Sequence, residues 1–408
     1  MTCELESWLT MCGMSANVSV TLGVGSGPYQ KTLAASWLRE GMLRRNLKSG
    51  PYLEVQDPMP DGTLKTIKRF PLNRRVNQLV WGVWTRLPKE WRGRPPMPVT
   101  VALVDRLWSR WIPACDVLHG WMGLSVACFK AAKRQGAQTI LENAGRHTRH
   151  WHQAGVEECK RFGIKDKELS RPLPAMLIRR IEREYEMCDR IAVPSQLAYR
   201  SFAEFGLAEK TVVVPTGVDT EFFVPRPSPD ERRVFRACFV GRVELAKGVG
   251  YLLQAWKRLR LANAELVLVG EVKREMDSLL REYADGSVRV TGILKPQELI
   301  RVYQESDVFA FASVNEGLAQ VVLEAMASGL AVVASDYSGA DECVSEGKEG
   351  FIVPVRDVEQ LAERILWCYR HREETRAMGV AARTRIESAF TLEHYNQRQI
   401  AIYRSMVK

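Results

Sequence analysis

Two glutamates separated by seven residues, Glu316 and Glu324, stand in the stretch ASVNEGLAQVVLEAMASG at 312–329. Apolar runs typical of buried strands flank this stretch. A strand, a loop and a helix in this order place residues 317–319 at a helix N-terminus, where backbone N–H groups and the helix dipole attract an anion. A nucleotide diphosphate-sugar suits the arrangement, with Glu316 accepting sugar hydroxyls and Glu324 accepting ribose hydroxyls. The alternative is a capped helix with one solvent-facing glutamate.

The stretch FVGRVELAKG at 239–248 carries two cations five residues apart. It begins as a predicted strand and continues into a glycine turn. Arg242 and Lys247 therefore stand at the carboxyl edge of a strand, where open α/β sheets bind ligands. An arginine grips phosphate oxygens with two hydrogen bonds, and a lysine adds a compact charge. Cations in a turn are commonly only solvated, but the glutamate pair favours a phosphate site.

A basic run, RHTRHWH at 146–152, follows another predicted strand. Its three histidines have no cysteine or acidic partner at a spacing typical of a metal site, so we predict no metal here. The better interpretation is that Arg146, His147 and Arg149 belong to a loop that binds an anionic acceptor or the donor phosphates. A solvated basic loop is the alternative.

The first half of the chain contains LGVGSGP at 22–28, a predicted strand that runs into a glycine-rich turn. The dinucleotide pattern G-x-G-x-x-G needs a glycine where this chain has Pro28, so a nicotinamide enzyme is disfavoured. Gly23 and Gly25 then belong to a loop for another ligand, or to a tight turn without one. Further along, His119 stands beside glycines at the predicted end of a strand, a place where histidines are commonly structural.

Composition restricts the class of protein. The chain has 408 residues, of which 46% are hydrophobic and 26% charged, which excludes a disordered or low-complexity polymer and allows two or three domains. Nine cysteines without a C-x-x-C pair indicate a reducing compartment. Because the chain starts without a basic leader and has no long uncharged apolar run, we expect a cytoplasmic protein.

The net charge of +10 lies in the first half of the chain. Residues 1–200 hold 31 Lys and Arg against 18 Asp and Glu, whereas residues 201–408 hold 27 against 30. Residues 65–94 combine nine basic residues and one acid with three tryptophans. This combination fits a peripheral contact with an anionic membrane at its inner face, and the alternative is a core helix with a solvated basic side. No nucleic-acid signature accompanies the charge, so we predict no nucleic-acid partner.

Short β-branched runs alternate with helix-length amphipathic segments, which predicts an α/β fold of parallel sheets covered by helices on both faces. The predicted strands are 17–22, 99–104, 139–143, 190–194, 236–240, 265–270, 288–291, 308–312, 331–335 and 351–355. The segment 224–233, rich in proline, serine and charge, predicts a domain boundary, and the last helix is predicted at 392–406.

Several of these motifs together resemble the GT-B retaining glycosyltransferases of the family called GT4. The motifs are VPTGVD ending at Asp219, FFVP at 222–225, Gly241-Arg242 with Lys247-Gly248, Glu316-x7-Glu324, and Gly339-x-x-Glu342. The resemblance covers residues 180–390 and the first half in outline. It implies two Rossmann-like doubly wound domains facing a central cleft. Residues 1–224 would bind the acceptor, with the helix 392–408 packing back onto them, and residues 225–391 would bind the donor.

The resemblance also implies a role for each matching residue. The diphosphate would meet the two cations, the transferred sugar would meet the first glutamate and the histidine, and the base would meet backbone atoms at 290–294. The residues implied for catalysis are Glu316, His119, Arg242 and Lys247, and those for the donor also include Gly23, Gly25, Thr291, Gly292, Ile293, Gly317, Leu318, Ala319 and Glu324. The chain departs from the family where Ala319 replaces the usual glycine and Ala331 a common proline.

The resemblance implies a hexosyltransferase that retains anomeric configuration and needs no cofactor. Its donor would be a UDP- or GDP-sugar and its acceptor a glycan or lipid-linked molecule, as in cell-envelope polysaccharide or glycolipid synthesis. Because no D-x-D sequence occurs in the chain, we expect the cations to replace a metal at the diphosphate. A nucleotide-sugar epimerase of the same fold and a non-catalytic nucleotide-sugar-binding protein are the alternatives. A phosphorylase would need a pyridoxal phosphate lysine that no stretch identifies.

Overall fold

The computed structural model describes residues 18–25, 34, 37–48, 53–61, 63–70, 97–164, 175–227 and 234–407. The chain divides into two compact units. The first unit lies within Met1–Leu141, Met187–Asp189 and Arg398–Lys408, and the second lies within Glu142–Glu186 and Arg190–Gln397. The predicted domain bounds at 224 and 391 stay a prediction.

One sheet has eight strands in the order β4-β3-β2-β1-β5-β6-β7-β8. The strands are Val20–Gly25 (β1), Leu43–Lys48 (β2), Leu53–Pro58 (β3), Leu64–Phe70 (β4), Val117–Trp121 (β5), Gln138–Glu142 (β6), Arg190–Val193 (β7) and Thr211–Val213 (β8). β1 pairs in parallel with β2 and β5, whereas β3 pairs antiparallel with β2 and β4. The sheet is therefore a parallel Rossmann-like sheet with an antiparallel extension at one end.

The other sheet has six strands in the order β11-β10-β9-β12-β13-β14, and all its pairs are parallel. The strands are Phe235–Val240 (β9), Ala264–Val269 (β10), Val288–Gly292 (β11), Val308–Phe311 (β12), Ala331–Ser335 (β13) and Gly350–Val353 (β14). Side chains of β9, β12 and β13 are almost fully buried on both faces, as a sheet covered on both sides requires. All six strands lie within one or two residues of their predicted positions.

Helices surround both sheets. They are Met97–Trp108 (α1), Val126–Lys133 (α2), Thr148–Arg161 (α3), Ala175–Met187 (α4), Gln196–Ala203 (α5), Val249–Leu259 (α6), Asp277–Tyr283 (α7), Pro296–Gln304 (α8), Gln320–Ala327 (α9), Val358–Arg370 (α10), Arg372–Ala389 (α11) and Leu392–Met406 (α12). The predicted last helix is confirmed, and its end belongs to the first unit, where the Tyr403 ring packs 4.9 Å from that of Trp37. No described helix is both long and apolar enough to cross a membrane.

One predicted strand is wrong. Residues 99–104 form the middle of helix α1, not a strand. Their apolar run fits either element, and the residues that follow decide it, because buried Val104 and Trp108 continue on one helix face at a spacing of four. Pro98 stands in the first turn, where its missing N–H costs no helical hydrogen bond.

The basic, tryptophan-containing segment at 65–94 is described only in part. Residues 65–70 belong to strand β4 rather than to a helix, and residues 71–96 lie outside the described residues. The predicted contact of this segment with a membrane stays a prediction. The predicted boundary at 224–233 is likewise described only as far as residue 227.

Candidate functional site

The candidate site lies at the carboxyl edge of the six-stranded sheet, between β9 and β12. The chain passes outward from β9 to β10 and β11, and then returns to the other side of β9 to form β12. Open α/β sheets bind ligands at such a switch point, because the two loops that leave neighbouring strands diverge there. Arg242 and Lys247 follow β9, and Glu316 follows β12.

Lys247 and Glu316, which are 69 positions apart, form an ion pair at this edge. The Lys247 Nζ donates to Glu316 Oε1, which also accepts the Ser313 hydroxyl at 3.0 Å. Both charged side chains are largely buried, with 21% and 16% of their surface exposed. The two loops are also joined by the Val314 N–H, which donates to the Ala246 carbonyl at 3.1 Å. The structure therefore brings together the cation and the carboxylate that were predicted to meet one ligand.

Arg242 is oriented by Glu244, which stands two residues later in the same turn. Its Nε and Nη2 donate to the two carboxylate oxygens of Glu244 at 2.8 and 2.7 Å. These hydrogen bonds raise the pKa of Arg242, so its positive charge is secure. Within the described chain its Nη1 has no acceptor and remains able to bind an anion.

The loop at 315–319 is held by three hydrogen bonds. The Glu316 N–H donates to the Tyr337 carbonyl at 2.9 Å, and the Ala319 N–H donates to the Ser338 carbonyl at 3.1 Å. The buried Ser195 hydroxyl donates to the Gly317 carbonyl at 2.6 Å. Among the described residues nothing accepts from the Gly317 and Leu318 N–H groups, which remain the anion donors that the sequence predicts.

Helix α9 begins at Gln320, with Ala319 as its N-cap residue. Ala319 has a φ of −68°, a conformation that any residue adopts, so the alanine in place of glycine causes no strain. Behind the loop, Gly339 has a φ of +73°, and a Cβ there would lie 2.0 Å from the Gly317 carbonyl oxygen. Glycine is therefore required at 339, and it lets the two loops touch.

Glu324 lies just over one turn into α9 and is mostly buried. Its Oε2 accepts the hydroxyl of Tyr303, on helix α8, at 3.1 Å. Burial raises the pKa of Glu324 to about 7, and the hydrogen bond from Tyr303 opposes this shift only in part. Its side chain is not joined to Lys247 or Arg242, so the two predicted glutamates occupy separate environments.

The residues predicted to face a base lie at the end of β11. Thr291 and Gly292 are the last two residues of the strand, and Gly292 has a φ of +73°. The next residue, Ile293, exposes 79% of its surface. An exposed isoleucine at the carboxyl edge of the sheet is available to pack against a planar apolar group.

The predicted basic loop divides between two environments. Arg146 lies over the Tyr337 ring at 4.7 Å and donates to the Asn315 Oδ1 at 3.4 Å, next to Glu316 in the chain. His147 instead caps helix α3 and stacks on Phe205, and burial lowers its pKa to about 4. The side chain of Arg149 forms an ion pair with Glu182. Only Arg146 of the three lies beside the loop that carries Glu316.

The predicted residues of the first unit are described by themselves. Gly23 and Gly25 lie within strand β1 rather than in the turn after it. His119 lies in the middle of strand β5, fully buried, with its Nδ1 2.8 Å from the Tyr403 hydroxyl. The Trp37 ring packs 5.7 Å away from the histidine ring. Their predicted roles at the donor stay predictions.

Sequence reasoning missed the residues that orient the site. These are Ser313, which bonds Glu316, Glu244, which orients Arg242, Tyr303, which bonds Glu324, and Ser195, which holds the loop. Glu244 was within reach of sequence reasoning, because it stands two residues after Arg242. Ser313 was within reach as well, because it stands three residues before Glu316. Tyr303 and Ser195 come from distant segments and carry no local signal.

Two family models match successive parts of the chain. Residues 235–371 match the family described as Glycosyl transferases group 1, and residues 66–222 match Glycosyltransferase Family 4. The chain is 31% identical over 223 residues to alpha-maltose-1-phosphate synthase of Mycolicibacterium smegmatis, covering 48% of this chain and 57% of that protein. It is 29% identical to the GDP-mannose-dependent alpha-(1-6)-phosphatidylinositol monomannoside mannosyltransferase of Mycobacterium tuberculosis, covering 70% and 76%.

Solved structures have the same fold. HepE of Anabaena in complex with UDP-glucose matches with a TM-score of 0.62 at 16% identity, covering 95% of this chain and 99% of that one.

The chain spans about half the length of the curated relatives it matches, for example 57% and 50% of two of them. The two Rossmann-like sheets and the two family matches agree, and the chain belongs to the group 1 glycosyltransferases of the GT4 type, with the GT-B fold.

Proposed function

We propose that this chain is a retaining, metal-independent glycosyltransferase that moves a hexose from a nucleotide diphosphate-sugar to a glycan or lipid-linked acceptor. The observation that carries the proposal is the ion pair of Lys247 with Glu316 at the switch point of the second sheet. One ligand with a diphosphate and a sugar has a use for both charges. A plain anion site has no use for the carboxylate.

The difficult step is departure of the diphosphate, because negative charge grows on it while the anomeric carbon becomes positive. Arg242, Lys247 and the N–H groups of Gly317 and Leu318 are fixed cations and donors at one place. Preorganised charges of this kind stabilise a leaving group without reorganising at the moment of reaction. We infer that they take the place of a divalent metal.

The donor would change the partners of the Lys247–Glu316 pair. The diphosphate would take Lys247, and Glu316, still held by the Ser313 hydroxyl, would accept hydroxyls of the sugar. The bond between the anomeric carbon and the phosphate oxygen breaks, and its electron pair leaves with the diphosphate. The acceptor oxygen forms the new bond on the same face, and its proton passes to the departing phosphate oxygen, so configuration is retained.

Two comparisons support the substrate class. The structure of HepE holds UDP-glucose, and the Mycobacterium tuberculosis relative is named for a GDP-mannose donor and a phosphatidylinositol mannoside acceptor. We propose a UDP- or GDP-sugar for this chain. A lipid-linked or anionic acceptor agrees with the excess of basic residues in its first half. An epimerase would instead release an epimerised sugar without any acceptor.

Nucleotide binding is expected to depend on Glu324. A thermal-shift panel with UDP, GDP, ADP and NAD, each without metal, should show one nucleoside diphosphate raising Tm by about 2 to 5 °C. The shift should disappear in Glu324→Ala, because the ribose loses its carboxylate acceptor. Glu363→Ala, which removes an exposed carboxylate from α10, should keep it. No shift with any nucleotide, or a shift with NAD alone, would refute the site assignment.

The thermal shift caused by the nucleotide is expected to depend on pH. The pKa of Glu324 is about 7, so the side chain is mostly neutral at pH 6 and mostly ionised at pH 8. An ionised carboxylate accepts hydrogen bonds from both ribose hydroxyls. In the neutral acid, one oxygen carries the proton and acts as a donor instead. The nucleotide shift should therefore grow between pH 6 and 8 in the wild type.

A further inference from the structure

Glu271 is a carboxylate at the candidate site to which the proposed function gives no role. It stands two residues after strand β10, at the carboxyl edge of the six-stranded sheet. β10 lies between β11, which the exposed Ile293 follows, and β9, which Arg242 follows. A nucleotide that packs its base against Ile293 and binds its diphosphate at Arg242 therefore passes over Glu271.

Main-chain hydrogen bonds join the segments that follow β9 and β10. The Val243 N–H donates to the Glu271 carbonyl at 2.9 Å, and the Lys273 N–H donates to the Val243 carbonyl at 2.9 Å. These bonds continue the parallel register of the two strands, so that Glu271 stands opposite Arg242. Side chains of opposite residues lie on the same face of a sheet. Glu271 is thus fixed beside the cation that is proposed to bind the diphosphate.

The carboxylate of Glu271 is held in place and is also accessible. It forms an ion pair with Lys273, whose Nζ lies 2.5 Å from Oε2. Only 10% of the Lys273 side chain is exposed, against 51% of the Glu271 side chain. A carboxylate has about four lone-pair sites on its two oxygens, so it accepts further hydrogen bonds besides the one from a lysine. After the hydrogen bonds of Glu244, the charge of Glu271 also raises the pKa of Arg242.

The turn after β11 supplies hydrogen-bond donors beside this acceptor. The Gly270 N–H donates to the Gly292 carbonyl at 2.9 Å, which places the turns after β10 and β11 side by side. In the described part of the chain nothing accepts from the N–H groups of Ile293 and Leu294. Neighbouring strands lie about 4.8 Å apart, which is close to the width of the hydrogen-bonding edge of a purine. This end of the sheet therefore offers N–H donors after one strand and a carboxylate after the next.

We propose that Glu271 recognises the base of the donor and selects guanine, so that the donor is a GDP-sugar. Guanine presents, along one edge, a carbonyl oxygen followed by two nitrogens that carry hydrogens. The carbonyl oxygen suits the N–H groups after β11, and a carboxylate accepts from both nitrogens. The choice of guanine rests on the proposed function, because it names the donor of the same site.

The other bases fit this arrangement less well. Uracil has a single N–H between two carbonyl oxygens, so a carboxylate that accepts from the N–H repels the oxygen beside it. Adenine has an amino group where guanine has its carbonyl oxygen, and a nitrogen without hydrogen where guanine has an N–H. A site built to hydrogen-bond one pattern of donors and acceptors rejects a ligand that lacks this pattern.

The test is titration calorimetry of the full chain with GDP, UDP, ADP and inosine diphosphate, without added metal. Inosine diphosphate is GDP without its 2-amino group, so it removes one of the two hydrogen bonds to the carboxylate. The variant is Glu271→Gln. The matched control is Glu359→Gln, which removes a carboxylate on α10 that is also paired with a cation, Arg258 at 2.9 Å.

We expect the wild type to bind GDP at least about tenfold more tightly than it binds UDP, ADP or inosine diphosphate. Glu271→Gln should lose most of the preference for GDP over inosine diphosphate, because the 2-amino group loses its charged acceptor. Its affinity for UDP should stay within about twofold of the wild type. Glu359→Gln should keep all four affinities.

Two results in the wild type would overturn the selection of guanine and leave the proposed function standing. They are tighter binding of UDP or ADP than of GDP, and equal binding of GDP and inosine diphosphate. An equal loss of GDP and UDP affinity in Glu271→Gln also overturns it, because the carboxylate then serves the ribose or the fold. Binding of no nucleoside diphosphate at all contradicts the proposed function as well.

Discussion

Replacing Glu316 by glutamine is expected to lower the rate of sugar transfer by about 100-fold or more while nucleotide binding persists. Glutamine keeps the shape of the side chain and loses its charge. The loop that carries it is held by backbone bonds to Tyr337 and Ser338, which the substitution does not touch. The loss therefore falls on the sugar hydroxyls and on the positive charge that develops in the transition state.

The same change should leave UDP or GDP affinity equal or slightly tighter. Lys247 loses its carboxylate partner and becomes free for the diphosphate. Transfer is measured with labelled donor, and affinity by calorimetry on the same preparation. Glu363→Gln is the matched control, because it removes one exposed negative charge from α10. A Glu316→Gln variant with wild-type transfer, or one that loses nucleotide affinity as much as rate, would refute the role of Glu316.

Replacing Gly248 by alanine is expected to destabilise the second unit by at least about 3 kcal/mol. Gly248 has a φ of +69°, and a Cβ there would lie 1.8 Å from the Ala312 carbonyl oxygen. That carbonyl directly follows β12, and Gly248 directly precedes helix α6, so neither backbone moves without disturbing the sheet. Lys247 stands next to it in the chain, and nucleotide binding should fail together with stability.

Gly347→Ala is the control that separates the steric clash at Gly248 from the cost of a positive φ. Gly347 has a φ of +75°, yet nothing lies within 4 Å of the Cβ that alanine would add. Its cost should be about 1 kcal/mol, the strain of positive φ alone. Urea denaturation followed by far-UV circular dichroism compares the two midpoints. Equal midpoints would show that the close approach of Gly248 to β12 does not contribute to stability.

The fold was predictable where the chain alternates regularly between strand and helix. The strands of the second unit are continuous apolar runs bounded by turns, and each appears at its predicted place. The first half contains strands β2, β3 and β4, whose sequences mix charge with few β-branched residues, and no pattern predicted them. The strand predicted at 99–104 was wrong for a different reason. An apolar run without alternation fits a buried helix as well as a strand.

The site was predictable as a set of charges but not as a set of partners. The spacing of Glu316 and Glu324 and the turn at Arg242 are local features, and the structure places them after the strands that were expected. That Lys247 pairs with Glu316, and that Tyr303 holds Glu324, depends on how distant segments pack. The stacking of His147 was hidden in the same way, because the Phe205 ring on which it lies is 58 residues later in the chain.

The most direct test of the account is sugar transfer by the full chain in excess EDTA, with the anomeric configuration of the product read by proton NMR. UDP-glucose and GDP-mannose are the donors, and glycans, lipid-linked sugars and water are offered as acceptors. The account predicts a product with the donor's anomeric configuration, at a rate within about twofold of that with added Mg²⁺, since Arg242 and Lys247 stabilise the diphosphate. Transfer that requires Mg²⁺, or a product of inverted configuration, would contradict it.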